Sequence, residues 1–377
     1  MLLEDIETPC LILDEGKLDA NIARMHAWLA PRGAGLRLHV KTAKNIEVAR
    51  RAMGQTVTGV TVSTLKEADY FFEHGVRDIL YAVGITPGKL DHVARLRRHG
   101  ADVAVVLDSA EAARAVVEKG AALHQRFPVL IEIDCDGHRA GVQPGDPVLT
   151  EIGRLLAGSS AAELRGVMTH AGSSYNAKSV DEIRAMAEKE RRAAVRCAGA
   201  LKAAGLPCPV VSVGSTPTAL YGESFEGITE VRAGVFVFFD LVMAGLDVCR
   251  IDEIALSVLA TVIGHQKQKG WAICDAGWMA MSRDRGTAAQ RIDQGYGLVC
   301  DADGNPVEGV IVSDANQEHG VISSRDGPAL DVARFPIGMP LRILPNHACA
   351  TAAQHGAYYV VDGGRDVVAV WERFGGW

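Results

Sequence analysis

The segment Leu36–Lys41 carries a lysine whose surroundings suit covalent chemistry with a carbonyl compound. Apolar and polar residues alternate in it, which places Arg37, His39 and Lys41 on one face of a predicted strand. A lysine that is partly buried among other cations loses its proton more readily and can then form a Schiff base. The ordinary alternative is a solvated lysine at a strand end, and Lys44 is the rival for the same role.

Further polar residues follow two later strands. Arg139 comes after the predicted strand Pro128–Ile133 and can hold a carboxylate or a phenolate oxygen by two parallel hydrogen bonds. A surface arginine in a loop is an equally good interpretation of that position. His170 ends the predicted strand Leu164–His170, and Tyr175 follows it, so both can line the same end of a sheet. A histidine with a purely structural packing role is an equally good interpretation of position 170.

Small and hydroxyl residues mark a candidate phosphate site. Gly214, Ser215 and Thr216 follow a predicted strand, and Gly234 follows the next one. Such residues let backbone N–H groups approach a phosphate, although they also occur in plain turns. Together with Lys41 they indicate a phosphorylated carbonyl cofactor, and pyridoxal 5'-phosphate is such a compound.

An imidazole and a thiol stand two positions apart near the C-terminus. On an extended segment, the side chains of His347 and Cys349 share a face and can chelate one divalent ion. This donor pair favours Zn²⁺, and two protein ligands leave positions open for substrate or water, as in a catalytic site. His319 is a candidate neighbour. The spacing alone is weak evidence, because such pairs often arise by accident.

Eight short apolar segments separated by amphipathic helices must position these residues. They are Leu36–Lys41, Thr58–Ser63, Asp78–Ala82, Asp102–Leu107, Pro128–Ile133, Leu164–His170, Pro209–Gly214 and Ile228–Val235. The alternation predicts a parallel (β/α)₈ barrel over residues 15–245, with a doubly wound open sheet as the alternative. In a barrel the carboxyl ends of all strands meet at one face, where the chemistry of such folds is found.

The pattern changes after residue 245. Turn signals there separate β-branched segments at Ala255–Gly264, Trp271–Asp275, Gly309–Val312, Leu341–Leu344 and Tyr358–Val361. This predicts a mostly antiparallel β domain over residues 246–377, which residues 1–14 join through the strand Cys10–Leu13.

Composition excludes several classes of protein. The 377 residues carry 39 Lys plus Arg against 46 Asp plus Glu, a net charge of −7, without a basic stripe for nucleic acid or a membrane surface. Eight cysteines are far fewer than a disulfide scaffold needs, so we expect reduced thiols. The acidic N-terminus differs from a secretion signal, and no membrane span is predicted, so the cytoplasm is the expected location.

Three segments resemble the fold type III pyridoxal-phosphate enzymes, the alanine-racemase-like barrels with a C-terminal β domain. These segments are His39–Thr42, Thr61–Ala68 and Pro345–Cys349. Within that group the chain resembles the D-serine dehydratase and D-threonine aldolase family. The likeness extends over essentially the whole length, including residues 169–175, 211–218 and 275–286.

The resemblance implies roles for the reactive residues. Lys41 matches the lysine that forms the Schiff base with the cofactor and then takes the substrate's α-proton. His347 and Cys349 match the two metal ligands of the dehydratases. In the aldolase branch the second ligand is commonly aspartate, so Cys349 favours elimination.

The resemblance also implies the cofactor contacts. Arg139 matches an arginine beside the phenolic oxygen, while Gly214, Ser215, Thr216 and Gly234 match the phosphate loops. We count His39, His170 and Tyr175 with these cofactor-binding residues because they are predicted at the same barrel face. One departure is Phe236, where relatives often have tyrosine.

The implied activity is that of a lyase. We expect a D-3-hydroxy amino acid, with D-threo-3-hydroxyaspartate as first choice, to give a 2-keto acid (oxaloacetate) and ammonia. The alternatives are a D-serine dehydratase giving pyruvate and a D-threonine aldolase giving glycine and an aldehyde, with His319 or His170 as base. A non-catalytic cofactor carrier is a different class, against which the second domain argues. Zn²⁺ is the expected metal, with Mn²⁺, Co²⁺ or Mg²⁺ as alternatives, and the resemblance implies a homodimer.

Overall fold

The computed structural model describes residues 1–54 and 59–377 and divides the chain into two compact units. The barrel unit comprises Met25–Lys41, Val48–Gly234 and Gly376–Trp377. The sheet unit comprises Met1–Arg24, Thr42–Glu47 and Val235–Gly375. Both units are therefore built from segments that are distant in the sequence.

Eight consecutive parallel strands close into a barrel. β1 (Cys10–Asp14) comes first in the chain, and the barrel strands that follow are β2 (Gly35–His39), β3 (Val60–Val62), β4 (Asp78–Gly84), β5 (Asp102–Leu107), β6 (Phe127–Ile133), β7 (Ala162–Thr169), β8 (Val210–Val213) and β9 (Glu230–Ala233). β9 pairs with β2 and closes the ring. The predicted parallel barrel is thus confirmed, and the open sheet is wrong. Thr58, the predicted start of the second barrel strand, lies outside the described residues.

Charged side chains from the starts of three strands meet inside this barrel. Arg37 on β2 donates to the Oε2 atom of Glu230 over 2.7 Å and to both carboxylate oxygens of Asp78, over 3.0 and 2.8 Å. Ser212 donates to the other oxygen of Glu230 over 2.6 Å. Arg37 and Glu230 are buried, and their pairing satisfies charges that burial would otherwise disfavour, while Asp78 is partly exposed.

The sheet unit contains one nine-stranded sheet in the order β11-β14-β13-β12-β15-β10-β1-β16-β17. Its later strands are β10 (Leu256–Gln266), β11 (Trp271–Cys274), β12 (Gly297–Cys300), β13 (Pro306–Ala315), β14 (Gly320–Ser324), β15 (Pro340–Pro345), β16 (Ala357–Val361) and β17 (Val367–Glu372). β1 pairs with β16 in parallel and with β10 antiparallel. The remaining pairs are antiparallel, which confirms the predicted β domain.

Helices connect the barrel strands and lie between the later strands. They are α1 (Glu15–Leu29), α2 (Ile46–Met53), α3 (Leu65–Glu73), α4 (Leu90–Arg98), α5 (Ala110–Leu123), α6 (Val148–Ala157), α7 (Val180–Ala203), α8 (Thr216–Tyr221), α9 (Leu241–Gly245), α10 (Trp278–Met281) and α11 (Ala348–Ala352). Hydroxyl caps start several of them: Thr64, Ser109 and Ser179 each accept from the N–H group three residues on. No helix in the described parts of the chain has the length and apolarity to cross a bilayer.

Candidate active site

Lys41 lies in a turn just beyond β2. The strand was predicted to run to Lys41 with the lysine partly buried, and the structure corrects both points: β2 ends at His39, and Lys41 is exposed. The reason is the short pairing between β2 and β3, whose last contact is the hydrogen bond from Val40 N to Thr61 O at 2.9 Å. Beyond it the backbone turns, and the amine extends from the end of the strand.

His39 is a half-buried imidazole at the carboxyl end of β2, and its Nδ1 atom is buried. Burial holds its pKa well below the usual range, and the charges of Lys41 and Arg232 act in the same direction. Within the described residues its Nδ1 atom has no hydrogen-bond partner. His39 is therefore an uncharged ring with a polar atom left to pair.

His170, directly after β7, is a second uncharged imidazole. Burial lowers its pKa to about 4, although the hydrogen bond to Gly214 acts in the opposite direction. Its Nδ1 atom lies 2.9 Å from the Gly214 carbonyl oxygen and must donate to it. The neutral ring thus keeps Nε2 as an acceptor. The Tyr175 ring lies beside it, with the two centroids 6.2 Å apart.

The predicted phosphate segment starts at a glycine that the fold requires. Gly214 has a φ of +137°, and a Cβ atom there would lie 2.1 Å from the Arg232 carbonyl oxygen. Gly234 follows β9 and is buried. A side chain at position 214 would therefore collide with the neighbouring strand.

The next residues begin α8. Ser215 caps the helix, accepting from Thr218 N over 3.2 Å, and Thr216 is the first helical residue. The N–H groups of Gly214 and Ser215 already have acceptors within the protein, Glu190 Oε1 at 2.9 Å and Thr218 Oγ1 at 3.1 Å. The hydroxyl groups at the start of α8 are thus the polar groups of this segment best suited to a phosphate.

Arg139 lies in the loop after β6 and is 58% exposed. Its Nη2 atom is 3.4 Å from Oε1 of Glu132, a buried residue on β6. Burial raises the pKa of the Glu132 carboxyl, and the Arg139 charge opposes that shift. The guanidinium keeps donors for a further acceptor because one weak contact uses only one of its five N–H groups.

The barrel unit therefore offers groups that fit pyridoxal phosphate. It presents an exposed amine after β2, half-buried uncharged imidazoles at the ends of β2 and β7, and hydroxyl groups after β8. An amine can bind the aldehyde, and hydroxyl groups can donate to the phosphate. The site can thus hold a phosphorylated aldehyde.

His347 and Cys349 lie at the start of α11. The prediction of an extended segment is wrong, because helix begins at Ala348 and His347 is its N-terminal flanking residue. The pair still interacts: a hydrogen bond joins their side chains. Thr42 Oγ1 lies 3.2 Å from Cys349 Sγ. A tight helical turn thus brings the two donors together, as the extended register was expected to do.

A carboxylate orients the imidazole. Nδ1 of His347 lies 2.6 Å from Oδ2 of Asp284. Burial opposes the charged ring, but the hydrogen bonds to Asp284 and Cys349 raise the pKa of His347 to about 11. The same bond to His347 lowers the pKa of Asp284. With Nδ1 engaged, Nε2 is the ring nitrogen that can bind a metal, an arrangement common around metal-bound histidines.

Two further polar residues hold this helix start. The buried carboxylate of Asp240 accepts from Met243 N and from Ala348 N, both over 2.9 Å, so it caps α9 and α11 together. Asn346 donates to the Gly295 carbonyl over 2.7 Å. Asp240 and Asp284 were missed at the sequence level, because no local pattern links them to a segment so much later in the chain.

The donor set fits a divalent ion with open positions. Imidazole and thiolate suit a borderline metal, and two protein ligands leave room for a substrate oxygen. Residues 1–54 and 59–377 contain no group of three or more acidic, histidine or cysteine side chains placed to hold a metal. His319 is exposed in the hairpin between β13 and β14, where its carbonyl accepts from Asn316 N.

Comparisons with known proteins match both parts of the chain. Residues 13–242 match the family described as alanine racemase, N-terminal domain, and residues 255–361 match the "Putative serine dehydratase domain". The D-threo-3-hydroxyaspartate dehydratase of Delftia sp. (strain HT23) is 53% identical over 99% of this chain and 98% of its own. The D-serine dehydratase of Dictyostelium discoideum is 28% identical over 97% and 96%. A 3-hydroxy-D-aspartate aldolase of Paracoccus denitrificans is 31% identical over 97% and 91%.

Solved structures extend this likeness to three dimensions. The Delftia dehydratase superposes with a TM-score of 0.97 at 52% identity, covering 100% of both chains. Variants of that enzyme have been solved in which a histidine or a cysteine, two positions apart, is replaced by alanine, and the cysteine variant is in the metal-free form.

Proposed function

This chain belongs to the alanine-racemase-like family that carries a serine dehydratase domain, and from that premise we propose its reaction. It is a pyridoxal-phosphate-dependent lyase that converts a D-3-hydroxy amino acid into a 2-keto acid and ammonia. The preferred substrate is D-threo-3-hydroxyaspartate, which gives oxaloacetate.

One observation carries this proposal. His347 and Cys349 are two positions apart at a helix start, and Asp284 orients the imidazole. The Delftia dehydratase has been solved with a histidine and a cysteine at the same spacing replaced, once in the metal-free form. Such a pair of metal ligands suits a dehydratase, because a Lewis acid makes hydroxide a better leaving group.

Residues of the barrel unit hold the cofactor in this proposal. Lys41 would bind its aldehyde carbon, Arg139 would hold the phenolic oxygen, and the segment from Gly214 to Thr216 with Gly234 would hold the phosphate. His39, His170 and Tyr175 line the ring. When bound, pyridoxal phosphate supplies an electron sink for the negative charge that forms at Cα.

Lys41 also moves the proton. The Lys41 Nζ atom would act as the general base that removes the α-proton of the substrate. The neighbouring imidazoles of His39 and His170 are uncharged, as burial lowers the pKa of both. They therefore add no positive charge that would have to be balanced around the cofactor.

His347 Nε2 and Cys349 Sγ hold the divalent ion, for which Zn²⁺ is the first choice and Mn²⁺, Co²⁺ or Mg²⁺ the alternatives. The ion's chemistry is that of a Lewis acid for the departing β-hydroxyl. Asp284 keeps the His347 ring in one orientation, and the Thr42 hydroxyl contacts the Cys349 sulfur. Both donors are thus placed before a substrate arrives.

A second reaction uses the same residues. A base that takes the proton of the β-hydroxyl would break the Cα–Cβ bond and give glycine and an aldehyde, as the aldolase relatives' name implies. The neutral His170 ring donates through Nδ1 and keeps Nε2 as an acceptor for this role, whereas His319 is exposed in a hairpin. A D-serine dehydratase that forms pyruvate is the nearer alternative. A non-catalytic carrier is disfavoured because such a protein needs no His347–Cys349 pair.

A substrate panel separates these functions. The purified protein is given D-serine, D-threonine and both D-3-hydroxyaspartate epimers, and keto acid, ammonia and glycine are measured together. We expect oxaloacetate and ammonia in equal amounts from the threo epimer. Glycine without keto acid would identify an aldolase, and turnover of L-substrates alone would reject the proposal. Light scattering during gel filtration tests the proposed homodimer.

A further inference from the structure

A buried carboxylate on α7 joins two loops of the barrel unit. Glu190 is 2% exposed, and its Oε1 atom accepts from Ala171 N at 3.0 Å and from Gly214 N at 2.9 Å. Its Oε2 atom accepts from Thr218 Oγ1 at 2.8 Å. One side chain thus holds the segment after β7 and the segment after β8 at the same time.

Other bonds tie the same two segments together. Ser174 Oγ donates to the Ala171 carbonyl over 2.7 Å and lies 2.9 Å from Ser215 Oγ. His170 bonds the Gly214 carbonyl, so both backbone polar groups of Gly214 are held, the N–H group by Glu190 and the oxygen by His170. The orientation of this peptide therefore depends directly on where the Glu190 carboxylate lies.

Burying a charged carboxylate is unfavourable unless hydrogen bonds or nearby charges compensate for the lost hydration. Burial raises the pKa of Glu190, while its three hydrogen-bond donors and the charge of Arg232 act in the opposite direction. The neighbouring carboxylate on the same helix, Glu188, pairs with Arg191 and Arg192 at the surface. The hydrogen bonds of Glu190 in the described parts of the chain go instead to the two loops.

We propose that Glu190 is a positioning residue for the phosphate end of the cofactor site, and this rests on the proposed function. Its side chain is long enough for the two oxygens to bond Ala171, Gly214 and Thr218. These bonds fix the orientation of the neighbouring hydroxyl groups of Ser215 and Thr216. The residue touches neither cofactor nor substrate. Its effect is confined to the part of the cofactor that carries the phosphate.

Two substitutions separate reach from charge. Glu190→Asp keeps the charge but shortens the side chain by one methylene, so its oxygens cannot span both loops. Glu190→Gln keeps the reach, since its amide oxygen can accept from Ala171 N and Gly214 N, and Thr218 can donate to the Ser215 carbonyl instead. Glu188→Gln is the matched control, the same change on the same helix at the surface.

The test compares two cofactors that differ only in the phosphate. Dissociation constants for pyridoxal phosphate and for pyridoxal are measured by absorbance with the full-length protein and each variant, after circular dichroism confirms folding. For Glu190→Asp we expect about tenfold weaker pyridoxal phosphate binding with little change for pyridoxal, as the loss of buried hydrogen bonds at one end predicts. For Glu190→Gln the dissociation constant for pyridoxal phosphate should stay within about threefold of that of the unmodified protein, because its hydrogen bonds to the two loops are kept. The dissociation constants of Glu188→Gln should equal those of the unmodified protein.

Three results would overturn the inference. Unchanged pyridoxal phosphate binding in Glu190→Asp, or equally weaker binding of both cofactors, would show that Glu190 does not position the phosphate end. A loss in Glu190→Gln as large as in Glu190→Asp would show that reach is not the cause. Failure of the unmodified protein to bind pyridoxal phosphate would instead overturn the proposed function, and this inference with it.

Discussion

The imidazole of His347 is held by a carboxylate from 63 residues earlier in the chain: His347 Nδ1 lies 2.6 Å from Asp284 Oδ2. The bond lowers the pKa of the Asp284 carboxyl and contributes to raising the pKa of His347 to about 11. It engages one ring nitrogen and leaves the other for a ligand. The pairing thus decides which atom of His347 can reach a metal.

Asp284→Asn should weaken metal binding. An amide still contacts the ring but no longer carries the charge that orients it and makes Nε2 a stronger donor, and such changes typically cost about 10- to 100-fold in metal affinity. Competition between the metal-free protein and a chromogenic chelator for Zn²⁺ measures the effect. Asp293→Asn is the control, because Asp293 pairs with Arg285 in the same loop. If Asp284→Asn and Asp293→Asn bind Zn²⁺ equally well, Asp284 does not support His347 as a metal ligand.

Lys41→Ala should abolish the absorption band of lysine-bound cofactor. Turnover should fall by about 10³-fold or more, because both the attachment point and the general base are lost. Lys44→Ala is the control: the Lys44 Nζ atom lies 5.6 Å from the Phe374 ring centroid, at a different place in the fold. A band that survives in Lys41→Ala but disappears in Lys44→Ala would move the assignment to Lys44.

Acid should destabilise the protein partly through His170. Its folded pKa of about 4 lies below the ordinary value of 6.5, so between these pH values the unfolded chain binds the extra proton. Stability is therefore retained above pH 6.5 and falls as the pH drops towards 4, by about 3 kcal/mol for this group alone. His170→Asn can still donate to the Gly214 carbonyl but does not titrate.

Urea unfolding at several pH values between 4.5 and 7.5 measures this contribution. The free energy of unfolding should fall less steeply with acid in His170→Asn than in the unmodified protein. His99→Asn, a change at an exposed histidine, should keep the unmodified slope. Identical slopes for all three proteins would show that His170 is not the group responsible.

Cys349 should be the thiol that reacts first in the native protein. It is partly exposed, whereas the other seven cysteines are buried. Burial also raises the pKa of Cys10 and Cys135 to about 12, which depletes their reactive thiolate. With metal-free protein, a small alkylating reagent should modify one thiol per chain rapidly, as shown by mass spectrometry.

Zn²⁺ added beforehand should protect that thiol, because a metal-bound sulfur is no longer available to the reagent. Cys349→Ser should lose the rapid phase and keep the slow reaction of the buried thiols. Rapid modification that survives in Cys349→Ser, or that Zn²⁺ does not slow, would argue against Cys349 as a ligand.

Much of the fold follows from local patterns. The eight apolar segments of the first two-thirds of the chain correspond to the eight barrel strands, with ends shifted by a few residues. In the sheet unit three strands, β12, β14 and β17, were missed. β12 has only four residues and β17 alternates without a buried face, so neither carries the periodic signal that identifies a strand.

The site was only partly predictable. Lys41 and the His347–Cys349 pair are recognisable by residue type, position and spacing, and their roles stay predictions until they are tested. Local structure was less predictable: Lys41 lies in an exposed turn instead of a strand, and Cys349 lies in a helix. Both differences arise from hydrogen bonds to distant partners, which end β2 early and cap α11.

Residue types and short-range periodicity were enough to predict the alternation of strands and helices, the two kinds of fold and a set of candidate reactive side chains. The residues that support those side chains became visible only in the folded chain. Asp284 with His347, Asp240 with α11, and Glu190 with Gly214 are 63, 108 and 24 residues apart. Such pairs form only after the chain has folded, since a hydrogen bond depends on distances in space and not on separation along the sequence.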